Sequence, residues 1–409
     1  MTTQLRPLAR SEWDRWFGRL ELAFGGVAQD PEERRLWEEL TEPDRSIGVW
    51  DGDECVGTAG SFGFRLAVPG GGHVPAAGVT MVSVAATHRR RGILTSMMRS
   101  QLDGLRGRGE PLAVLTASEP EIYGRFGYGT ATHQLTVEID SSRVRVAVPP
   151  GAEDVRLRFV PPGDGAAACE RIYRATTGSR PGAPARSPGW ERLPLLDPPS
   201  GREGGSPLLC VLAERAGEAV GYVRFHNRPH WTAEGPAGSV LVRDVEAAEP
   251  AVYAALWRFL CGIDLTTSVR SRNRPVDDPL LHLVSDVRRC GVRVRDSLHL
   301  RPVEVGAALG ARTYQVPLDV VLDVEDAFCP WNAGRWRLTG GPGGAACVRT
   351  GDAPDLALSV RELGAAYLGG VSLVSLAGAG RVRELRGGAL GAASLAFGSA
   401  VAPWLPHGF

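Results

Sequence analysis

No lysine occurs in the 409-residue sequence, so each of its 46 basic side chains outside the histidines is an arginine. That absence excludes a lysine nucleophile, a Schiff base and the lysine of a Walker-type phosphate loop. Set beside the heavy use of Ala, Gly, Pro and Val, it reads as the codon bias of a GC-rich genome. Long apolar runs are missing too, and none approaches the roughly 18 residues a membrane helix needs. The opening Met1-Thr2-Thr3-Gln4-Leu5-Arg6-Pro7 lacks the apolar core of a signal peptide, which makes the cytoplasm the expected compartment. The seven cysteines stand singly, with no Cys-x-x-Cys pair, against both a zinc site and a disulfide framework. The 46 acidic residues balance the 46 basic ones, so no global field draws the chain to nucleic acid or a membrane surface. No Gly-x-Ser-x-Gly elbow supports a serine hydrolase.

What is present is length enough for two or three domains. The segment 1–150 alternates helix and strand signals: helices over Ser11–Phe24, with Ser11 as N-cap, and Pro31–Leu40; a hairpin through Asp51-Gly52-Asp53; then strand Gly78–Val84, helix Thr95–Arg106 and strand Leu112–Ala117. A strand near Gln134–Ile139 completes it as a mixed α/β sheet with one crossover helix. Pro149-Pro150-Gly151 breaks the chain. The segment 151–300 then repeats the strand–helix–strand rhythm over Ser239–Asp244, Pro250–Ile263 and Leu265–Val269, after a Pro-, Gly- and Ser-rich loop anchored by Trp190. The segment 301–409 has an α+β element order.

The most informative stretch is Val82-Ser83-Val84-Ala85-Ala86-Thr87-His88-Arg89-Arg90-Arg91-Gly92-Ile93-Leu94. A β-branched run ends, arginines and a glycine follow, and a helix begins at Thr95. Backbone N–H groups, a helix N-terminus and fixed positive charge at one spot suit a pyrophosphate. A solvated basic turn is the bland alternative, and the strand before and the helix after outweigh it. His88 contacts phosphate or faces solvent. Roughly thirty residues on comes Tyr123-Gly124-Arg125-Phe126-Gly127-Tyr128. A phenol with pKa near 10 stays protonated at neutral pH and can serve a departing group as a general acid. His226 and His230 lack the neighbours of a metal site, and no metal is expected.

The pattern Arg89-x-x-Gly92-x-Leu94 resembles the cofactor loop of the GNAT N-acetyltransferases, with Leu94 in place of the usual small residue. Adding the aromatic segment at Tyr123, the second unit without an arginine-glycine loop, and the final Phe409, the chain resembles the enhanced intracellular survival (Eis) family. Cys329–Trp336, Pro354–Val360 and Tyr367-Leu368-Gly369-Gly370 are similar to that family's sterol-carrier-protein-like domain. The resemblance implies an α/β and α+β architecture of two tandem GNAT units, the second degenerate, over 1–150 and 151–300, and a sterol-carrier-like domain over 301–409.

It further implies acetyl-CoA as cosubstrate. Val82, Ser83 and Val84 would pair their main chain with its pantetheine arm, the loop residues Arg90, Arg91, Gly92, Ile93, Leu94 and Thr95 would hold the diphosphate, and Ser118 and Glu119 would face it across a splayed sheet. Tyr123 would be the general acid, and the carboxylate of Phe409 would act as the base for the attacking amine. The implied reaction is direct acetylation, in a ternary complex, of amines such as aminoglycosides, other polyamines or lysine side chains, by a homohexamer. Family members that modify aminoglycosides place carboxylates around the acceptor, whereas this chain has Gly25-Gly26-Val27 and Gly408 where acids would help. That contrast implies a weaker preference for polycations. Trp13, Trp16 and Trp37 are either an apolar wall there or core. The competing reading is a lipid- or small-molecule-binding protein with vestigial acetyltransferase units.

Overall fold

Gly52, at φ +60°, turns the chain back between the antiparallel strands Ile47–Asp51 and Glu54–Ala67. The computed structural model describes residues 3–409. Along them run β1 (Gln4–Pro7), α1 (Trp13–Ala23), α2 (Pro31–Leu40), β2 (Ile47–Asp51), β3 (Glu54–Ala67), β4 (His73–Val84), α3 (Ile93–Gly107), β5 (Leu112–Thr116), α4 (Pro120–Gly124) and β6 (Gly129–Thr130). Then come β7 (His133–Asp140), β8 (Arg156–Val160), α5 (Pro162–Thr177), β9 (Leu209–Arg215), β10 (Glu218–Arg228), the small pair β11 (Trp231–Thr232) and β12 (Gly235–Pro236), β13 (Gly238–Ala247), α6 (Pro250–Cys261), β14 (Thr266–Arg274), α7 (Leu280–Leu283) and β15 (Arg293–Asp296). The last part holds β16 (Leu298–Pro302), α8 (Val305–Gly310), β17 (Leu318–Glu325), β18 (Gly334–Gly341), β19 (Gly344–Arg349), β20 (Leu356–Ser359), α9 (Val360–Ala366), α10 (Leu373–Gly378), β21 (Val382–Glu384) and α11 (Ala389–Phe397). Among the described residues no helix is long and apolar enough to cross a membrane.

The chain divides into two units. The first takes the chain up to Thr132, then Asp296–Pro403 and Gly408–Phe409. It contains a seven-stranded sheet in the order β1-β2-β3-β4-β5-β16-β6 and a five-stranded sheet in the order β19-β18-β17-β20-β21. Helix α3 lays Met97, Met98, Leu102 and Leu105 on the larger sheet, against Val56, Ala77, Val79 and Leu115. Helix α1 buries Trp13, Trp16, Phe17 and Leu20, the i, i+3, i+4, i+7 stripe of an amphipathic helix. Trp13 and Trp16 are therefore core. Trp37 is half-buried and stacks on Phe62 at 6.2 Å. Ser11 does not cap α1: a single 3-10 turn, Arg10–Glu12, precedes the helix, and the Glu12 carboxylate takes the Arg6 guanidinium at 2.6 and 2.7 Å.

The second unit is His133–Arg295 with Trp404–His407. Its seven-stranded sheet has the order β15-β7-β14-β13-β10-β9-β8, with α6 buried on it through Val252, Leu256, Trp257 and Leu260. Trp190 is buried, as an anchor of the loop should be. Two strands differ from the sequence reading. The strand over Gln134–Ile139, expected to complete the first sheet, is β7 and pairs with β14 in the second. The strand β16, read with the second segment, is buried along its whole length between β5 and β6 of the first. Alternating burial says that one face of a strand is covered, not which sheet covers it.

In the second sheet β13 runs parallel to β14 only as far as Val242 opposite Ser271. The gap beyond is filled from within the unit. Arg274 of β14 donates to the Val245 carbonyl of β13 at 3.2 Å and holds Asp278 at 2.7 Å, and the indole of Trp404 lies under Arg274 and donates to the Asn273 carbonyl at 3.1 Å. No arginine-glycine loop follows β13, whereas one follows β4 in the first unit.

Candidate active site

The site begins with a break in pairing. β4 is antiparallel to β3 along its length but parallel to β5 only over Ala76–Gly78, opposite Leu112–Val114. Beyond Gly78 the two strands part. A register shift between Thr58 and Gly60 marks a bulge on β4, where Met81 has φ +55°. A bulge adds one residue and increases local twist, which turns the rest of β4 away from β5. Thr58 pins it: its hydroxyl donates to the Met81 carbonyl at 2.7 Å and lies 2.7 Å from the Ser83 hydroxyl. Val82–Val84 consequently have a strand partner on one side only.

The loop after β4 is shaped by two left-handed residues, Arg90 at φ +62° and Gly92 at φ +78°. Gly92 stands directly before α3, whose first turn holds no acidic residue and is capped by no side chain. A 15-residue helix ending in free N–H groups supplies a positive dipole end there. His88 is buried rather than solvent-facing, and it borders the cleft described below. Its ring lies 2.8 Å from the Thr87 hydroxyl and 3.3 Å from the Asp51 carboxylate, tying the loop to the β2–β3 turn.

A cleft of about 1080 Å³ opens along this loop. Val82, Ser83, Val84, Arg90, Gly92, Ile93, Leu94 and Thr95 border it, with Ser118, Glu119 and Tyr123 on the other side. Arg91 is exposed and outside the lining. Phe409 is also outside it, but close along β4: its main-chain oxygen accepts from Thr80 Oγ1 at 3.1 Å, and its ring meets Phe64 edge-on at 5.2 Å. Gly78 makes room for this, since a Cβ there would lie 2.3 Å from the Phe64 ring and 3.1 Å from that of Phe409. Sequence reasoning missed Arg19, Leu22, Ala23 and Phe24, which reach the cleft from the end of α1, and Arg125 and Glu54. The available signal was Leu22, an apolar residue off the buried stripe of its helix.

Tyr123 sits on the single turn α4, edge-on to Tyr128 at 6.0 Å. Burial, and to a lesser degree the negative charge of Glu119, push its hydroxyl up to about 12. The turn is clamped from behind. Buried Arg301 of β16 donates to the Phe126 carbonyl and holds Asp326 at 2.7 Å. Asp326 also accepts from Asn332 at 3.0 Å and from the Cys329 N–H at 2.9 Å. A Cβ on Gly127, itself at φ +84°, would lie 1.7 Å from the Arg301 guanidinium, and one on Gly129 would lie 2.0 Å from the Arg361 carbonyl. The glycines of the aromatic segment are thus imposed by α9 and β16 pressing on it.

Profiles of known families match the chain in three places. The acetyltransferase (GNAT) domain matches residues 4–131, a second acetyltransferase (GNAT) domain 182–302, and the sterol carrier protein domain 305–406. An uncharacterised N-acetyltransferase of Streptomyces avermitilis is 67% identical over 409 residues, covering 100% of both chains. The N-acetyltransferase Eis of Mycobacterium tuberculosis is 34% identical over 384 residues, 90% of this chain and 91% of the relative. Among solved structures, Eis1 from Mycobacterium abscessus superposes with a TM-score of 0.83 at 36% identity over 100% of both chains. A GCN5-related N-acetyltransferase from Anabaena variabilis, at 19% identity and a TM-score of 0.84, shares the fold alone.

Proposed function

The chain belongs to the Eis family of GNAT-type N-acetyltransferases, and on that premise we propose that its first unit moves the acetyl group of acetyl-CoA directly to a primary amine in a ternary complex. The observation that carries this reading is that the splayed end of β4, the arginine-glycine loop and Tyr123 border one cleft. Aminoglycosides, other polyamines and lysine side chains are the acceptors the family suggests. The acting form in this reading is a cytoplasmic homohexamer, whose mass light scattering would check.

Acetyl-CoA supplies an activated acyl carbon and a thiolate leaving group. The chain supplies the rest. Val82–Val84 offer main-chain N–H and C=O groups on the side that no strand occupies, a match for the amides of a pantetheine arm. Arg90, Gly92 and the first residues of α3, Ile93, Leu94 and Thr95, fit a diphosphate by charge, close backbone approach and dipole. Arg91, outside the lining, adds only field. Ser118 and Glu119 close the opposite wall. Tyr123 donates toward the departing sulfur, and the Phe409 carboxylate, directly or through water, takes the proton of the amine.

Two results test this. Initial rates varied in both substrates should give intersecting lines, because no covalent enzyme intermediate is involved; parallel lines would point to one. Extending the chain past Phe409 by two residues removes the carboxylate from its place beside Thr80. It should lower kcat about 100-fold, the low end for a general base, while acetyl-CoA binding is kept. An unchanged kcat would remove Phe409 from the mechanism.

A further inference from the structure

The cleft carries an apolar lip that none of the roles above uses. Leu22 and Phe24 are 59% and 62% exposed, and with Ala23 both border the cleft. Phe24 would continue the buried stripe of α1, but the helix ends at Ala23 and leaves its ring in the opening. Val27, just past the turn and outside the lining, is 79% exposed. A lone exposed apolar side chain needs no explanation, but a run of them at the mouth of a functional cleft marks a surface that something apolar covers. A second apolar run ends at the proposed base: Trp37 stacks on Phe62, Phe62 lies 6.0 Å from Phe64, and Phe64 meets Phe409 at 5.2 Å.

The lining charges point the same way. With Arg90 matched to a phosphate, the remaining charged lining groups apart from His88 are Arg19, Arg89, Arg125, Glu54 and Glu119, which carry no excess of negative charge. Glu54 is taken by Arg19 at 2.6 Å. Glu119 has no ion-pair partner among the described residues. The wall thus has a place for one cationic group and no field to attract several.

We infer that the acceptor is a primary monoamine carried on an aryl or alkyl body, and that this body seats on Leu22, Ala23 and Phe24. The inference rests on the acetyltransferase reading and names its substrate class. Transfer forms one C–N bond and breaks one C–S bond. The ammonium loses two protons on the way to the amide, one leaving with the thiol of CoA and one to solvent.

The test compares 2-phenylethylamine with spermidine, in wild type and in Phe24→Ser, a change at an exposed position that leaves the core intact. The expected kcat/KM is at least about tenfold higher for 2-phenylethylamine at physiological salt. Phe24→Ser should raise the KM of that amine about tenfold, the order of a lost aromatic contact, with kcat kept. Calorimetric binding of 2-phenylethylamine to the CoA-loaded protein should weaken by the same factor. Faster turnover of spermidine overturns the inference and leaves the acetyltransferase standing. So does a Phe24→Ser variant whose altered constant is the KM of acetyl-CoA, since the lip would then serve the cosubstrate. CoA release with neither amine overturns this inference, and CoA release with none of the amine classes named above overturns the acetyltransferase reading beneath it.

Discussion

Replacing Tyr123 by phenylalanine is expected to lower kcat by about 10²- to 10³-fold, the range for removing one donor aimed at developing negative charge, with the KM of acetyl-CoA within about twofold of wild type. The ring and its edge-on contact with Tyr128 survive the change, so the difference reports the hydroxyl alone. The raised hydroxyl defines the kind of help it gives. At about 12, its phenolate would be more basic than a departing thiolate by roughly three orders of magnitude, taking a thiol pKa of about 8.5. Complete proton transfer to sulfur is therefore uphill, and the group acts as a hydrogen-bond donor to the sulfur while the net proton arrives from water.

The pH dependence follows with a definite sign. Burial disfavours the phenolate, so the donating form persists as pH rises and is lost only near 12. Rates in wild type should not decline between pH 8 and 10 on account of Tyr123. A tyrosine with an ordinary pKa would be half ionised at about pH 10. A kcat limb falling with a midpoint near 9 in wild type and absent in Tyr123→Phe would contradict the assignment.

The second large effect is on stability. Arg301→Met is expected to destabilise the first unit by about 3–5 kcal/mol, the cost of removing one member of a buried ion pair. Arg301 and Asp326 are both buried, and the guanidinium is also the partner of the Phe126 carbonyl. The variant leaves a carboxylate away from water, with Asn332 and the Cys329 N–H as its remaining donors. Denaturant melts of Arg301→Met and of the double variant Arg301→Met/Asp326→Leu measure it. The double variant should recover part of the loss, because no charge remains buried alone. Equal melting of wild type and Arg301→Met would show that the pair holds nothing together.

The arginine-glycine loop was legible because its signal is local. A β-branched run, a glycine able to take φ +78° and a helix without acids in its first turn are all written within about twenty consecutive residues, and the structure brings them to one cleft. The aromatic segment was legible as a pattern, but not the cause of its glycines. Gly127 and Gly129 answer to Arg301 and to the backbone of α9, more than 150 residues away, and no local propensity encodes that pressure. The same limit explains β7 and β16, whose alternation or full burial is visible in the chain while their partners are not. His88 stands beside a run of arginines and reads as a phosphate contact or a solvated side chain, and the Asp51 carboxylate 3.3 Å from its ring is a partner that the local sequence does not show. Ser11 has the chemistry of a cap, but the competing Arg6–Glu12 pair and a 3-10 turn displace the start of α1 by two residues, to Trp13.

The most direct test of acetyl transfer at this cleft is a paired count of products. Wild-type protein with acetyl-CoA and 2-phenylethylamine is followed for free thiol and for the N-acetylated amine in the same tube. The expected result is CoA release that requires the amine and equals the acetylated amine one for one. Acetyl-CoA that binds the protein and is returned intact, with any amine present, would contradict the account and favour a binding protein whose acetyltransferase units no longer turn over.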